Sequence, residues 1–301
     1  MGATIRVPYF DVSTVKKVSN GYGVGTVVPK GASLLGEGEF GQAFKITPRQ
    51  ARGLVDHLDT HLRGVWSMPR GTGHIVLKVL KIAGGDVHKA LTNGLRELYI
   101  QWHLSTAPAK TVHGNVFDVK RYVPTPYFGG FVRATREFLI CMKMQPGTTL
   151  LNANKLKNKN QYLEIERAYI SMLLNNVLYV DFHEANIMVT DDGDVYVIDF
   201  GGALLLSDSF KTKKETEQFR RRLRQFLRYW PNHVTYFSQR KHINEQLMAN
   251  NGQRAKIEKT LSIFSKAASG TLSNVRGMIN AKRRHINVPN IVGRNKNIVY
   301  K

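Results

Sequence analysis

Three oxygen-bearing side chains near the middle of the chain could together act on a phosphate. The run Asp181-Phe182-His183-Glu184-Ala185-Asn186 leads into the apolar Ile187-Met188-Val189, and Asp199-Phe200-Gly201 begins thirteen residues after Asn186. Asp199 and Asn186 offer the hard oxygen donors that Mg²⁺ takes when phosphate and water complete its shell. Asp181 is then left to accept a proton. Upstream, Lys78 lies in Ile75-Val76-Leu77-Lys78-Val79-Leu80-Lys81. A cation in so apolar a strand needs a counter-charge or an anionic ligand. Lys81, three residues on, points to the opposite face of a strand, so at most one of the two serves the same site. Glu97 sits beside the helical stripe Leu91, Leu95, Leu98, where it could turn toward that strand and pair with Lys78. Gly36-x-Gly38-x-x-Gly41 would let backbone N–H groups approach a polyphosphate. Because Ala43-Phe44-Lys45-Ile46 after it reads as strand, it suits a glycine hairpin over phosphates better than the strand–turn–helix of a dinucleotide site.

These residues must be held by surrounding elements. Residues 22–28 and 43–46 read as strands with a glycine turn over 36–41, and 47–73 as a helix plus loop. Strands are expected at 74–82 and 137–144, and an amphipathic helix over 87–104. Residues 161–178 read as a mostly buried helix. Asn186–Thr190 and Asp194–Phe200, joined by Asp-Asp-Gly, read as a hairpin. Basic helices are expected over 214–230 and about 239–268, and an irregular stretch from about Lys282. Strands with one helix, followed mainly by helices, give an α+β chain with a boundary near Gln145–Thr149.

Composition narrows the class. With 42% hydrophobic residues the chain is globular, and no stretch reaches the apolar length of a membrane span, so no membrane is expected. A single cysteine, Cys141, excludes an intramolecular disulfide and a four-cysteine zinc site, and points to a reducing compartment. Its apolar surroundings suggest a buried, inert thiol. No His-Glu-x-x-His or similar spacing occurs, so no zinc is expected. Lys and Arg number 44 against 22 acids, and residues 207–301 alone carry 21 against 5. Such a field suits nucleic acid or an acidic protein.

Taken in order, Gly36-x-Gly38-x-x-Gly41, Lys78, Glu97, Asp181-x4-Asn186 and Asp199-Phe200-Gly201 resemble the signature set of the protein-kinase-like superfamily, over roughly residues 30–230. The resemblance implies a bilobal fold: residues 1–144 as an N-lobe with an insertion at about 47–73, and 145–301 as a short, basic, mainly helical C-lobe. It implies ATP as phosphoryl donor, with Mg²⁺ or Mn²⁺ held by Asn186 and Asp199. Gly36, Glu37, Gly38, Phe40 and Gly41 would cover the phosphates. Lys78, oriented by Glu97, would contact the α and β oxygens. Lys143, Met144 and Gln145 would meet adenine, with Met142 behind them. Asp181 would be the base, and a Ser or Thr hydroxyl of a protein substrate the acceptor. Tyr179-Val180 stands where the family usually has His-Arg, so no phosphorylated activation loop would be read. Asp181-Phe182-His183 is similar to the loop of small-molecule kinases of the aminoglycoside type, which keeps that acceptor class open. A non-catalytic nucleic-acid-binding or scaffold protein on the same fold is the other alternative. His183 is expected to pack in its loop and bond backbone. The trimmed, basic form is similar to kinases of large DNA viruses, which implies an intracellular place in the host cytoplasm or nucleus, or with the virion.

Overall fold

A computed structural model describes residues 27–38, 41–60, 63–81, 87–153, 159–206, 217–228 and 251–280. In chain order they form β1 (Ser33–Gly38), β2 (Gly41–Ile46), α1 (Pro48–Leu54), β3 (Arg63–Val65), β4 (Ile75–Lys81), α2 (Val87–Thr106), β5 (Lys110–Val112), β6 (Asn115–Phe117), β7 (Pro126–Val132), β8 (Glu137–Lys143), β9 (Thr148–Thr149), α3 (Lys159–Leu174), β10 (Val177–Leu178), β11 (Ile187–Val189), β12 (Val195–Val197), β13 (Leu204–Leu205) and α5 (Asn251–Asn280). Helix α4 spans residues 217–228. The chain is therefore mixed α+β with antiparallel sheets. Its described residues divide into two units: 27–105 with Pro124–Gln145, and Thr106–Val123 with 146–280.

The first unit is built on a six-stranded antiparallel sheet ordered β1-β2-β4-β8-β7-β3. Strand alternation gives it two apolar faces. Phe138, Ile140 and Met142 of β8 pack with Leu91, Leu95 and Leu98 of α2. Leu139 and Cys141, one residue out of phase, pack with Leu77, Val79 and, from α1, Ala51 and Leu54. Helix α1 starts at a reciprocal cap: Gln50 N–H donates to Thr47 Oγ1 at 3.2 Å, and Thr47 N–H to Gln50 Oε1 at 2.8 Å. Segment 47–73 is more than the expected helix and loop, because β3 pairs with β7 at the sheet edge. The first hairpin also differs from expectation. Its leading strand is β1, running through Gly36 and Gly38, and not residues 22–28, of which 22–26 lie outside the described residues. Every β1 residue is exposed, so no apolar alternation marks it in the sequence.

The second unit carries the sheet β12-β11-β9, the pair β10–β13 and the hairpin β5–β6. Helix α3 stops at Leu174, short of the expected 178. Asn176, at φ 62°, takes the left-handed conformation that ends a helix, and Val177–Leu178 become a strand paired with Leu204–Leu205. The expected hairpin forms, with Ile187 opposite Val197 and Val189 opposite Val195. Helix α4 buries Phe219, Leu223 and Phe226 on one face. The basic helix expected over 239–268 is described from 251, and it continues to Asn280. The segment from Lys282 lies outside the described residues.

Candidate functional site

Each unit holds one set of the residues singled out from sequence. In the first, Lys78 of β4 sits opposite Ile140 of β8, on the sheet face covered by α2. Its Nζ lies 2.6 Å from Glu97 Oε1. Glu97 is 3% exposed and Lys78 14%, so the pair is largely out of water. An ion pair there is short and strongly directional, and breaking it strands a charge in an apolar setting. Helix α2 reaches the sheet closely because residue 94 is glycine. A Cβ at Gly94 would lie 2.7 Å from the Phe138 ring. The side chain of Lys81 falls outside the described residues.

The three glycines of the hairpin have different reasons. A Cβ on Gly41 would stand 2.2 Å from the Val79 carbonyl, so close pairing of β2 with β4 already demands glycine there. Gly36 and Gly38 have nothing within 4 Å of such an atom, and they leave open backbone to either side of exposed Glu37. Phe40 lies outside the described residues. At the end of β8, Met142 is buried, and the Lys143 N–H donates to the Thr125 carbonyl at 2.9 Å. That N–H is thus committed to the fold. Gln145 is buried and Met144 half-buried.

The second unit assembles Asp181, Asn186 and Asp199. Asn186 is the tie: its Nδ2 donates to the Asp181 carbonyl at 3.1 Å and to Asp181 Oδ2 at 3.3 Å. Its own main-chain carbonyl accepts from Ile198 N–H at 2.9 Å, next to Asp199. With the amide nitrogen turned to Asp181, the amide oxygen is the end presented elsewhere. Asp199 has φ 63° and ψ 76°, and its Oδ1 accepts from Gly201 N–H at 3.3 Å. Left-handed backbone is uncommon outside glycine and most tolerable for Asn and Asp. Gly202 brings this turn against Asp181: a Cβ there would lie 3.0 Å from Asp181 Cβ. The Asp181 carboxylate is 58% exposed. His183 bonds backbone as expected, but its ring is exposed rather than packed. Its Nδ1 accepts from Ala185 N–H at 3.3 Å, capping the short turn Glu184–Asn186. Its Nε2 lies 3.1 Å from Asn186 Nδ2 and 3.5 Å from Asp181 Oδ1.

One participant was not singled out as a site residue. Tyr179 is fully buried, and its hydroxyl lies 2.5 Å from the Ile198 carbonyl and 2.6 Å from that of Asp199. Its ring meets Phe200 and Phe182 edge to face. It thus braces the backbone on which Asp199 adopts its strained conformation. The signal available in the sequence was an aromatic hydroxyl two residues before Asp181.

Among the described residues no group of three or more His, Cys, Asp or Glu is placed to hold a metal ion. Mg²⁺ on a polyphosphate needs only one or two protein oxygens, which the Asp199 carboxylate and the Asn186 amide oxygen could supply. No described helix is long and apolar enough to cross a membrane. The chain matches no protein-family model and no curated protein.

Proposed function

We propose that the chain is an ATP- and Mg²⁺-dependent phosphotransferase with a protein-kinase-like fold. The observation that carries the reading is the tie made by Asn186, which joins Asp181 through its amide and the strand before Asp199 through its carbonyl. Residues eighteen positions apart, one suited to bind a metal and one to accept a proton, are thereby held in one rigid loop. Asp199 and Asn186 would hold Mg²⁺, which neutralises phosphate charge when bound. Asp181 orients an acceptor hydroxyl and takes its proton. Its exposure suits a macromolecular acceptor, and a protein Ser or Thr hydroxyl is the proposed one. Lys78, paired with Glu97, binds nucleotide phosphate. Gly36 and Gly38 supply open backbone to the same end. Phosphoryl transfer asks for this kind of positioning and charge neutralisation more than for covalent help.

The test is transfer of label from γ-labelled ATP to a panel of basic proteins, acidic proteins and small-molecule hydroxyl acceptors, with Asp181→Asn in parallel. Label on protein Ser or Thr with the native chain and a large loss with the variant is the expected result. Label on small molecules alone would move the acceptor class. No Mg²⁺-dependent transfer to any of them would leave a non-catalytic binding protein.

A further inference from the structure

Gln101 is a polar side chain outside the sets described so far in either unit, and it is buried to 1% exposure. It lies one turn after Glu97 on α2, on the same side of the helix. Read from sequence, a helical glutamine beside a leucine stripe is a surface residue. Here its Nε2 donates to the Pro124 carbonyl at 2.8 Å and contacts the Met142 thioether sulfur at 3.2 Å. One amide thus spans three segments: α2, the lead into β7, and the end of β8. Both N–H bonds of the amide have an acceptor, so the contact is directional as well as buried.

The placement matters because of what each end carries. The α2 end carries Glu97, whose carboxylate holds Lys78 at 2.6 Å. The other end is Met142, immediately before Lys143, Met144 and Gln145. Apolar packing holds α2 on the sheet through Leu91, Leu95 and Leu98 but does not by itself fix how far it slides or turns. A hydrogen bond to a fixed carbonyl does.

We propose that Gln101 is the positioning residue of the nucleotide site: its amide latches α2 to Pro124 and Met142, and so keeps Glu97 against Lys78 without any regulatory input. This deepens the phosphotransferase reading and rests on it for the identity of the ligand, MgATP. It gives a physical reason for activity independent of a phosphorylated loop, since the helix carrying Glu97 is already held.

The test uses the full chain and two measurements. One is the rate at which trinitrobenzenesulfonate modifies Lys78, followed by peptide mass spectrometry with exposed Lys143 as internal standard. The other is the equilibrium affinity for MgATP, both taken well below the unfolding temperature. Gln101→Met keeps length and helix preference but removes both donors. Its expected effect is on the order of tenfold faster Lys78 labelling and tenfold weaker MgATP binding, the scale of one to two net hydrogen bonds. Met142→Leu removes only the sulfur acceptor and should give a smaller change in the same direction. A residue that only stabilised the fold would lower the unfolding temperature and leave both readouts unchanged, and that result for Gln101→Met overturns the proposal. Should Gln101→Met fail to fold, Gln101→Leu, which also lacks both donors, decides: wild-type labelling and affinity would overturn the latch. If the native chain binds no MgATP, the phosphotransferase reading falls, while the labelling rate still reports whether Gln101 holds the pair.

Discussion

Replacing Lys78 separates the structural work of the Lys78–Glu97 pair from its proposed chemical work. At 2.6 Å the gross attraction is about 6 kcal/mol for an effective dielectric of 20. Most of that is offset by desolvating both groups, so the pair adds little net stability over an apolar substitute. Removing one partner is different. Lys78→Met leaves the Glu97 carboxylate, 3% exposed, without this counter-charge, and should cost about 3–5 kcal/mol in urea unfolding. Lys78→Met with Glu97→Met removes both charges among Leu95, Leu98 and Ile140 and should recover stability to within about 1 kcal/mol of native. Phosphoryl transfer should stay lost in both, because methionine cannot bind phosphate. Unfolding curves and labelled-ATP transfer on the native chain, the single variant and the double variant are the measurements. If transfer returns together with stability in the double variant, Lys78 acts only in the fold, and the phosphate role assigned to it is wrong.

Three further outcomes follow from the geometry. Tyr179→Phe removes the donor to the Ile198 and Asp199 carbonyls, so stability should fall by about 1–2 kcal/mol and transfer by about tenfold, checked by unfolding and rate; native values for both would refute the bracing role. Glu166 of α3 is buried beside Tyr162 and Tyr169, and burial pushes its carboxyl well above the ordinary range. The folded chain then binds a proton that the unfolded chain releases above about pH 4.5, so stability falls as pH rises from there, by up to about 1.4 kcal/mol per pH unit. Glu166→Gln should flatten that slope and be the more stable form at pH 7, whereas parallel stability–pH curves for the two proteins would contradict it. Arg221, Arg224 and Arg228 are exposed on the face of α4 opposite Phe219, Leu223 and Phe226. If that face binds nucleic acid, changing all three to Ala should reduce the slope of log affinity against log salt by about 2 to 3, while an unchanged slope places the contact elsewhere.

How much was legible in the sequence depends on how local each signal is. Lys78 stood out because a cation in an apolar strand needs an explanation, and Glu97 because it borders a leucine stripe. Asp181, Asn186 and Asp199 were legible from residue type and spacing around a hairpin. Strand β7 was not, because Gly129 and Gly130 interrupt its apolar run. Its reason is tertiary: a Cβ on Gly129 would lie 2.7 Å from both the Leu139 carbonyl and the Leu98 side chain. Strand β3 is three residues long and gains its partner only when β7 exists. Gln101 and Tyr179 were opaque for the same reason, since each acts through carbonyls distant in sequence.

Whether Asp199 holds Mg²⁺ on a bound nucleotide is decided by equilibrium titration of the full chain with ATP, with and without Mg²⁺, on the native protein and on Asp199→Asn. Mg²⁺ should tighten ATP binding to the native chain by about tenfold or more, 1.4 kcal/mol or above, and Asp199→Asn should abolish most of this gain while remaining folded. ATP affinity indifferent to Mg²⁺ in the native chain, or a full Mg²⁺ gain retained by Asp199→Asn, would contradict it.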